Sequence, residues 1–553
     1  MPTGPDPYWP EPYTGLAISG TCGGPAGTGG GGAAIAGSAG AGGGSGRAGS
    51  AAACAEPAST APATLNPAIA SFAALAETVA RRASVISPAV LSVTLADGPA
   101  QKSASFGRSE HRRTLRAVKR GSHDDGPECP PISATTICPA WQAETVGRVL
   151  IIGSGFAGLW AALAAARRVD EIGSAEAPVE ITVISDRPFH DIRVRNYETD
   201  LTECRIPLGE LLDPAGVAHI VAEVTAIDVE ARTVTAQQGG RTLVVDYDRL
   251  VLAAGSRVAR PDVPGLAEFG FDVDTFDGAL RLASHLDAVT ADPRTAGAAT
   301  VVVVGAGLTG IETACELPAR LAAMCAGTVT PRVLLVDHNA QVGSDMGASA
   351  RPVIETALAE NGVEVMTGVS VDAVDIGAVT LSSGDVVPTA TVVWCAGMRA
   401  NPLTAQFPVT LDRFGRLPVD DFLRVDGVPG VLAAGDVAAA RVDDGHLSVM
   451  SCQHGRPMGR YAGYNVIGDI LGLPMRALRI PWYVTVLDLG PAGAVYTEGW
   501  DRRVVATGTV AKATKRTINT ERIYPPLTGD RKALLAAAAP DLQSRPERGG
   551  AGN

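Results

Sequence analysis

Two glycine triplets with the same spacing, the first at Gly153 and the second at Gly305, limit the fold of this chain more than any other feature. The first lies in "VLIIGSGFAGLWAAL", from Val149, and the second in "VVVVGAGLTGIETAC", from Val301. Both have the spacing G-x-G-x-x-G, made by Gly153, Gly155 and Gly158 and again by Gly305, Gly307 and Gly310. An apolar run precedes each triplet and a helical pattern follows it, so each copy predicts a strand–turn–helix unit.

The spacing has a physical reason. The first glycine makes a tight turn, the second lets the backbone approach a pyrophosphate, and the third lets helix and strand pack closely. The pyrophosphate then lies at a helix N-terminus, where free N–H groups favour anions. Each copy also has an acid at the end of the next strand, Asp186 in "VEITVISDRPFH" and Asp337 in "PRVLLVDHN". Asp186 lies farther from its triplet than the usual ~20 residues, and the insert "VDEIGSAEAPVE" accounts for the excess.

Two such cradles predict two dinucleotides, a tightly bound flavin and a nicotinamide cofactor that binds and dissociates. Hydride transfer needs both rings at one crevice, and each cofactor brings its own pyrophosphate. Two further strands, in "YDRLVLAAGS" and "GVPGVLAAGDVAAA", end in small-residue turns. Asp436, in the second turn, can hydrogen-bond a ribityl hydroxyl. Asp337 predicts NADH rather than NADPH, because a carboxylate accepts a hydrogen bond from a ribose 2′-OH and repels a 2′-phosphate.

Apolar strands alternate with helical segments from Arg148 onward, which is typical of an α/β fold. We expect two Rossmann-like domains with parallel sheets, the NADH domain inserted in the FAD domain, a small antiparallel C-terminal part and a disordered N-terminal segment. The predicted segments are a low-complexity region (1–145), the FAD domain in two parts (146–292 and 403–475), the NADH domain (293–402), a β-rich C-terminal region (476–527) and a flexible tail (528–553).

Composition narrows the function classes. A net charge of −12 argues against nucleic-acid binding. The sequence contains no run of 18 apolar residues, so it predicts no transmembrane helix, although contact with one leaflet of a membrane stays open. The nine irregularly spaced cysteines, with no C-x-x-C pair, favour a reducing cytoplasm. The first 50 residues hold 17 of the 64 glycines. Since Met324 is the first methionine after Met1, a non-Met start near Val146 is one hypothesis for this region.

Six stretches carry a family resemblance: "IIGSGFAG", "YDRLVLAAGS", "VVGAGLTGIETACEL", "TVVWCAGMRANP", "VLAAGDV" and "SCQHGRPMGRYAGYN". In this order they resemble the pyridine nucleotide-disulfide oxidoreductase superfamily of flavoproteins, and within it the type II NADH dehydrogenases (NADH:quinone oxidoreductases). The resemblance covers about residues 148 to 470. It implies that FAD takes a hydride from NADH and passes two electrons to an acceptor, a quinone in that family.

The resemblance also implies site residues. The FAD contacts would be Gly153, Gly155, Phe156, Ala157, Gly158, Asp186, Val224, Ala254, Gly255, Gly435 and Asp436. The NADH contacts would be Gly305, Gly307, Thr309, Gly310, Asp337, Ala396 and Gly397. Gln453 would lie beside the isoalloxazine. The catalytic residues would be Glu312 and Gln453.

Glu312 has a functional and a structural interpretation. The family places a glutamate here, near both redox rings, where it acts in the reaction or its proton supply. An acid in the first turn of a helix also complements the helix dipole. We prefer the functional interpretation, because the motif match is specific to this position. Glu316 would share its helix face.

The chain departs from the family at two places. Cys395 stands where Ala or Thr is usual, and we interpret it as a small buried residue. The C-terminal region is basic around Lys512, Lys515 and Arg516 and lacks a stripe of bulky apolar residues, which argues against membrane attachment and weakens quinone as acceptor. Homodimerisation and contact with the inner face of the membrane stay open.

Other acceptors compete with a quinone. A dithiol reductase needs a cysteine pair just past the first helix, and residues 186–203 contain none. A sulfide:quinone reductase would need cysteines flanking the flavin, and residues 205–314 offer none. A reductase of a small iron–sulfur protein has the same two cradles. A flavoprotein of the apoptosis-inducing-factor type, which senses NADH without turnover, is the non-enzymatic alternative.

Overall fold

The computed structural model describes residues 147–173 and 177–546. The predicted low-complexity region 1–145, the hypothesis of a start near Val146 and residues 547–553 of the predicted tail lie outside these residues.

Helices and strands alternate along most of the described chain. The α-helices are α1 (Phe156–Ile172), α2 (Leu208–Leu212), α3 (Leu266–Phe269), α4 (Phe276–Thr290), α5 (Leu308–Cys325), α6 (Gly347–Glu360), α7 (Cys452–Leu471), α8 (Gly508–Thr517) and α9 (Arg531–Ala537). The strands are β1 (Gly147–Ile152), β2 (Val179–Ser185), β3 (Phe189–Asp191), β4 (Arg205–Pro207), β5 (Ala218–Val221), β6 (Glu223–Asp228), β7 (Thr233–Gln238), β8 (Arg241–Asp246), β9 (Arg249–Leu252), β10 (Ser256–Val258), β11 (Gly270–Phe271), β12 (Thr300–Val304), β13 (Arg332–Asp337), β14 (Val363–Thr367), β15 (Val371–Asp375), β16 (Ala378–Leu381), β17 (Val386–Pro388), β18 (Thr391–Trp394), β19 (Met398–Ala400), β20 (Leu417–Pro418), β21 (Val431–Ala433), β22 (Ala438–Ala439), β23 (Val484–Asp488), β24 (Ala494–Glu498) and β25 (Arg503–Thr507).

The first sheet is parallel, with strand order β21-β9-β1-β2-β5. Its centre, Val149 to Ile152 of β1, is buried, as expected for a strand with helices on both faces. β21 pairs with β9, with Val431 opposite Leu250. Residues 253–430 therefore leave this sheet and return to it, which confirms the predicted insertion of one domain in another.

The inserted domain has a second parallel sheet of order β11-β18-β12-β13-β14. The valines of β12 are buried, and β12 pairs with β13 and β18 on its two sides. Both sheets thus place a glycine turn after a central strand, β1 in the first and β12 in the second. The expected fold class of two Rossmann-like domains is confirmed.

The C-terminal part is antiparallel, as expected, with strand order β23-β24-β25. The basic helix α8 packs on these strands through the buried Ala511. Farther on, α9 packs on α1, and the Arg167 side chain donates to the Leu535 carbonyl at 3.1 Å. Residues 528–546 of the predicted flexible tail therefore include a packed helix.

Glycines let α7 lie unusually close to α1. A Cβ on Gly459 would lie 2.3 Å from the Ala157 carbonyl oxygen, and one on Gly463 would lie 2.1 Å from that of Ala161. Glycine at every fourth position of α7 removes the side chains that would separate the two backbones. This contact fixes the start of α7 beside the first cradle.

Candidate functional site

The three glycines of the first cradle are of two kinds: two pack closely against the backbone, and one faces open space. Gly153 has φ +103°, and a Cβ on it would lie 2.4 Å from the Ala253 carbonyl oxygen. A Cβ on Gly158 would lie 2.0 Å from the Gly153 carbonyl oxygen. Around Gly155, in contrast, a Cβ would meet nothing within 4 Å. Fold packing therefore explains Gly153 and Gly158, and the open side of Gly155 fits a phosphate held against the backbone.

The second cradle repeats this geometry with one difference. Gly305 has φ +104°, and a Cβ on Gly310 would lie 1.7 Å from the Gly305 carbonyl oxygen. Gly307 is more open, and its nearest neighbour is the Asp345 carboxylate, 3.4 Å from an added Cβ. Burial raises the pKa of Asp345, Arg502 opposes this rise, and Asp337 adds to it. Asp345 was not predicted, because it lies after β13 in a short 3₁₀ helix (Ser344–Met346) without a recognisable sequence motif.

The two strand-end acids are held differently. The Asp337 side chain is buried and accepts from the backbone N–H groups of Ala306 and Asn339, at 2.5 and 2.7 Å. Its carboxylate is therefore fixed against the second cradle. The Asp186 side chain is 64% exposed and lies 3.6 Å from Arg187. Asp186 thus remains accessible to a ligand at the edge of the first sheet.

The two small-residue turns and the start of α1 come together beside the first cradle. The Asp436 carboxylate accepts from the Ser256 hydroxyl at 2.7 Å. Gly435 has φ +76°, and a Cβ there would lie 2.7 Å from Ala157 Cβ. Ala254 and Gly255 precede Ser256, which the sequence analysis quoted in "LAAGS" without assigning it a role.

The remaining predicted contacts surround the cradles less closely. Phe156 packs edge-on against the His190 ring, with 5.2 Å between ring centroids. Ala396 lies against Gly305, where an added Cβ would come within 2.8 Å of Ala396 Cα, and the next residue, Gly397, has φ +76°. Thr309 is exposed at the start of α5, and Val224 is half-buried in β6. The positions of these two residues do not test their predicted roles.

Glu312 lies in a buried ion pair. The sequence analysis places it in the first turn of its helix, which is wrong, because α5 begins at Leu308 and Glu312 is its fifth residue. One carboxylate oxygen accepts from Lys515 Nζ at 2.8 Å and from the Asp488 backbone N–H at 3.1 Å. Burial raises the pKa of Glu312 although Lys515 opposes the rise. A first-turn dipole role therefore does not explain this position.

The basic C-terminal helix supplies the cations of this site. The Lys515 side chain is 10% exposed and pairs with Glu312, while Lys512 Nζ lies 2.5 Å from the Asp488 carboxylate. Burial lowers the pKa of Lys515, but the charge and hydrogen bond of Glu312 together with the charge of Asp488 act against it, and the net result is a raised pKa. Two of the three basic residues noted in this region, Lys512 and Lys515, thus form ion pairs with acids of other elements.

Gln453 and Glu316 contact other elements. The Gln453 side chain donates to the Trp482 carbonyl and accepts from the Val484 N–H, both at 3.4 Å, which connects the start of α7 to β23. Glu316 accepts from the Thr199 hydroxyl at 2.7 Å. Glu312 and Glu316 were predicted to share a helix face, but their side chains bind different partners, Lys515 and Thr199.

The described cysteines are free thiols: Cys204, Cys315, Cys325, Cys395 and Cys452. Burial raises the pKa of Cys395 to about 12, and Thr313 opposes the rise. Burial also raises the pKa of Cys452, where Arg456 and Lys515 oppose it. The thiols of Cys395 and Cys452 are therefore protonated near neutral pH and are poor nucleophiles.

Comparison with known proteins gives one family. The sequence profile of the pyridine nucleotide-disulphide oxidoreductases matches residues 147–459. An NADH dehydrogenase-like protein of Mycobacterium tuberculosis is 69% identical over 401 residues, which are 72% of this chain and 100% of that protein. A type II NADH:quinone oxidoreductase of the same organism is 34% identical over 52% of this chain and 66% of its own length. The structure of NDH2 from Plasmodium falciparum in complex with NADH covers 71% of this chain and 97% of its own, with a TM-score of 0.59 at 14% identity.

Proposed function

Because this chain belongs to the pyridine nucleotide-disulphide oxidoreductase family, we propose that it is an FAD-dependent NADH dehydrogenase that delivers two electrons to a quinone. The observation that carries the proposal is the pair of cradles, each with a middle glycine more open than its two neighbours. One cradle serves a resident dinucleotide and the other serves a dinucleotide that exchanges.

The first cradle holds FAD in this proposal. The open side of Gly155 and the N-terminus of α1 receive the diphosphate. Asp186 accepts from a ribose hydroxyl, and Asp436, held by Ser256, accepts from the ribityl chain. When bound, FAD supplies the two-electron chemistry, since it accepts a hydride and can give up its electrons singly or in pairs.

The second cradle holds NADH. Two backbone N–H groups fix the Asp337 carboxylate, so that it is positioned to accept from a ribose 2′-hydroxyl. The same fixed negative charge disfavours a 2′-phosphate. NADH is therefore preferred over NADPH.

Glu312 and Lys515 set the charge near the meeting point of the two cofactors. The ammonium of Lys515 stabilises the carboxylate form of Glu312, whereas burial favours the protonated form. This balance suits a group that holds or releases a proton when the charge of its neighbours changes. Gln453, on the other helix that reaches this region, contributes an amide that both donates and accepts.

The proposal that the electron acceptor is a quinone is based on the related proteins. Two of the proteins compared above carry NADH dehydrogenase or NADH:quinone oxidoreductase in their names. Among the described helices, none has the length and apolar content needed to cross a bilayer. Peripheral contact with a membrane, a homodimer and a cytoplasmic location at its inner face remain predictions.

A single set of assays tests this proposal. The full chain is purified, its bound flavin is identified after heat release, and NADH oxidation is followed with a water-soluble quinone or with a ferredoxin. Many turnovers with the quinone and far fewer with the ferredoxin are expected. NADPH run in parallel should give a much lower kcat/KM.

Two other results would each contradict part of the proposal. Turnover with ferredoxin alone would make the chain a reductase of iron–sulfur proteins. Reduction by NADH to a long-lived coloured complex, without turnover, would make it an NADH-sensing flavoprotein. A colourless protein would contradict the proposal entirely.

A further inference from the structure

Two arginines of α7 stack on one buried tryptophan of α1. The guanidinium carbons of Arg456 and Arg460 lie 5.3 and 4.2 Å from the centroid of the Trp160 ring. Trp160 is 1% exposed and Arg460 is 4% exposed. Within the described chain, the indole N–H of Trp160 and the Nε groups of both arginines are buried without an acceptor. Three donors in one small region therefore lack partners.

No carboxylate of the described residues forms an ion pair with either arginine. Burial lowers the pKa of Arg456 to about 10, and the nearby Arg522 adds to this effect. Burial lowers the pKa of Arg460 to about 9, and Arg456 adds to this effect. Other buried arginines of this protein are compensated, for example Arg195 by Glu198 at 2.7 Å. Buried charges are rarely left unpaired, so the positive charge here indicates a missing anion.

The arginines border the first cradle. Gly455, which precedes Arg456, faces α1, and a Cβ on it would lie 3.8 Å from Phe156 Cβ and 4.0 Å from the Ala157 backbone nitrogen. His190 Nδ1 lies 2.8 Å from the Ser154 carbonyl oxygen of the cradle turn, and its Nε2 is buried without a partner in the described residues. Because Nδ1 donates to this carbonyl and burial keeps the ring neutral, Nε2 is an acceptor, so the unpaired donors are those of Trp160 and the two arginines.

The C-terminal segment contacts Arg460 and the neighbouring Arg522 through backbone carbonyls. Arg460 donates to the Leu542 carbonyl at 2.8 Å, and Arg522 donates to the Ser544 carbonyl at 2.6 Å. Arg522 also donates to the Arg545 carbonyl at 2.9 Å and to the Ser544 hydroxyl at 3.1 Å, and none of these acceptor oxygens carries a negative charge. The positive charges of Arg456 and Arg460 are therefore not neutralised by any carboxylate of the described residues.

We propose that Arg456, Arg460 and the indole N–H of Trp160 form a binding site for a phosphate-type anion. Two guanidinium groups match the charge and the several acceptor oxygens of a phosphate or diphosphate, and an aromatic ring holds both in place. The anion comes either from the diphosphate of FAD in the adjacent cradle or from a separate phosphate-bearing ligand. In the first case the inference rests on the proposed function, and in the second it is independent of it.

A binding role and a purely structural role of Arg456 predict different melting temperatures for a variant without this arginine. An unpaired buried cation destabilises the protein without ligand, so Arg456→Gln should leave the melting temperature of the ligand-free full chain unchanged or higher. A structural arginine would lower it. Arg456→Lys keeps the charge without the planar fork and should bind with intermediate affinity.

Two binding measurements separate the sources of the anion. Inorganic diphosphate is titrated into the FAD-loaded protein while the melting temperature is recorded, and the dissociation constant of FAD is measured by equilibrium dialysis. The variants are Arg456→Gln, Arg460→Gln and Trp160→Phe, which keeps a ring but removes the N–H donor. Arg168→Gln is the matched control, because Arg168 also stacks on an aromatic ring, Tyr464 at 4.5 Å, and also has a buried Nε without an acceptor, but it is paired with Glu171 at 3.4 Å.

Two outcomes support the proposal. A diphosphate-induced rise in melting temperature that is lost in the arginine variants assigns the site to a separate ligand. An FAD dissociation constant raised about tenfold in those variants, without a diphosphate effect in the wild type, assigns it to the flavin diphosphate. Trp160→Phe should show the same change to a smaller degree, and Arg168→Gln should show none.

Two outcomes would overturn it. One is wild-type behaviour of both arginine variants in both measurements. The other is a melting temperature lowered in Arg456→Gln with diphosphate and FAD binding unchanged. Neither measurement uses NADH oxidation, so failure of this inference is distinguishable from failure of the proposed function.

Discussion

At the scale of single residues, the buried pair of Glu312 and Lys515 is the feature with the largest consequences. Its two members lie 203 positions apart in the chain and join the second cradle helix to the C-terminal helix. Removing one partner of a buried pair leaves a charge without compensation and costs about 3–5 kcal/mol. The pair therefore couples the catalytic role proposed for Glu312 to the stability of the C-terminal part.

Glu312→Gln should lower kcat with the quinone on the order of a hundredfold, because the variant can no longer hold or release a proton at this position. Bound FAD, measured from the absorbance spectrum, should change little. Wild-type steady-state kinetics in this variant would refute the role. Lys515→Met in the same background supplies the control, since the double variant should be less destabilised than the sum of the two single changes.

Asp337→Asn should raise the ratio of kcat/KM for NADPH to that for NADH about tenfold, or about 1.4 kcal/mol. The substitution keeps an acceptor for one of the backbone N–H groups while removing the charge that repels a 2′-phosphate. Asp186→Asn, in the other cradle, is the control and should leave the ratio unchanged. An equal change in both variants would show that Asp337 does not select the nicotinamide cofactor.

At the scale of elements, the close contact of α1 and α7 positions the site. Gly455, Gly459 and Gly463 recur at every fourth residue of α7, but only at the last two would an added Cβ clash with the backbone of α1. The four-residue interval places the three glycines on one face of α7. Whether each glycine tolerates a side chain depends on how close it lies to the point where α7 crosses α1.

Gly459→Ala should destabilise the protein, because the added Cβ would lie 2.3 Å from the Ala157 carbonyl oxygen and force the helices apart. We expect a loss of about 1–3 kcal/mol, typical of overpacking, measured by urea unfolding followed by circular dichroism. Gly455→Ala adds the same methyl group to the same helix at ordinary contact distance and should be neutral or stabilising. Equal effects of the two substitutions would contradict this account of the contact.

At the scale of the whole molecule, two buried histidines make stability depend on pH. Burial lowers the pKa of His190 to about 4 and that of His454 to about 3. In the unfolded chain each has a pKa of about 6.5. The unfolded state therefore binds these protons at pH values where the folded state does not, and their contribution to stability is present above pH ~6.5 and is lost as the pH falls.

The free energy of unfolding should fall by about 1.4 kcal/mol per pH unit for each histidine between pH ~6 and pH ~4. His454→Asn removes one of these protons and keeps an acceptor for the Val449 N–H, which His454 Nδ1 binds at 2.8 Å. Urea unfolding at pH 7, 6 and 5 should show a shallower decline in this variant. A slope equal to that of the wild type would mean that His454 is accessible to protons in the folded protein.

Much of the architecture could be predicted from short stretches of sequence. The glycine spacing, the strand before it and the acid after the next strand indicated both cradles, because a turn, a helix start and a strand end are fixed by neighbouring residues. The insertion of one domain in the other followed from the order of motifs. The roles of the individual site residues remain predictions.

By itself, then, the sequence determined two dinucleotide cradles, their order and their family. Only the tertiary structure decided which charges meet: Lys515 with Glu312, Asp345 with the open side of Gly307, and two arginines with Trp160 and with no ion-pair partner among residues 147–173 and 177–546. The reason is the range of the forces involved. Backbone turns depend on a few adjacent residues, whereas the partner of a buried charge is chosen by packing between segments far apart in the chain.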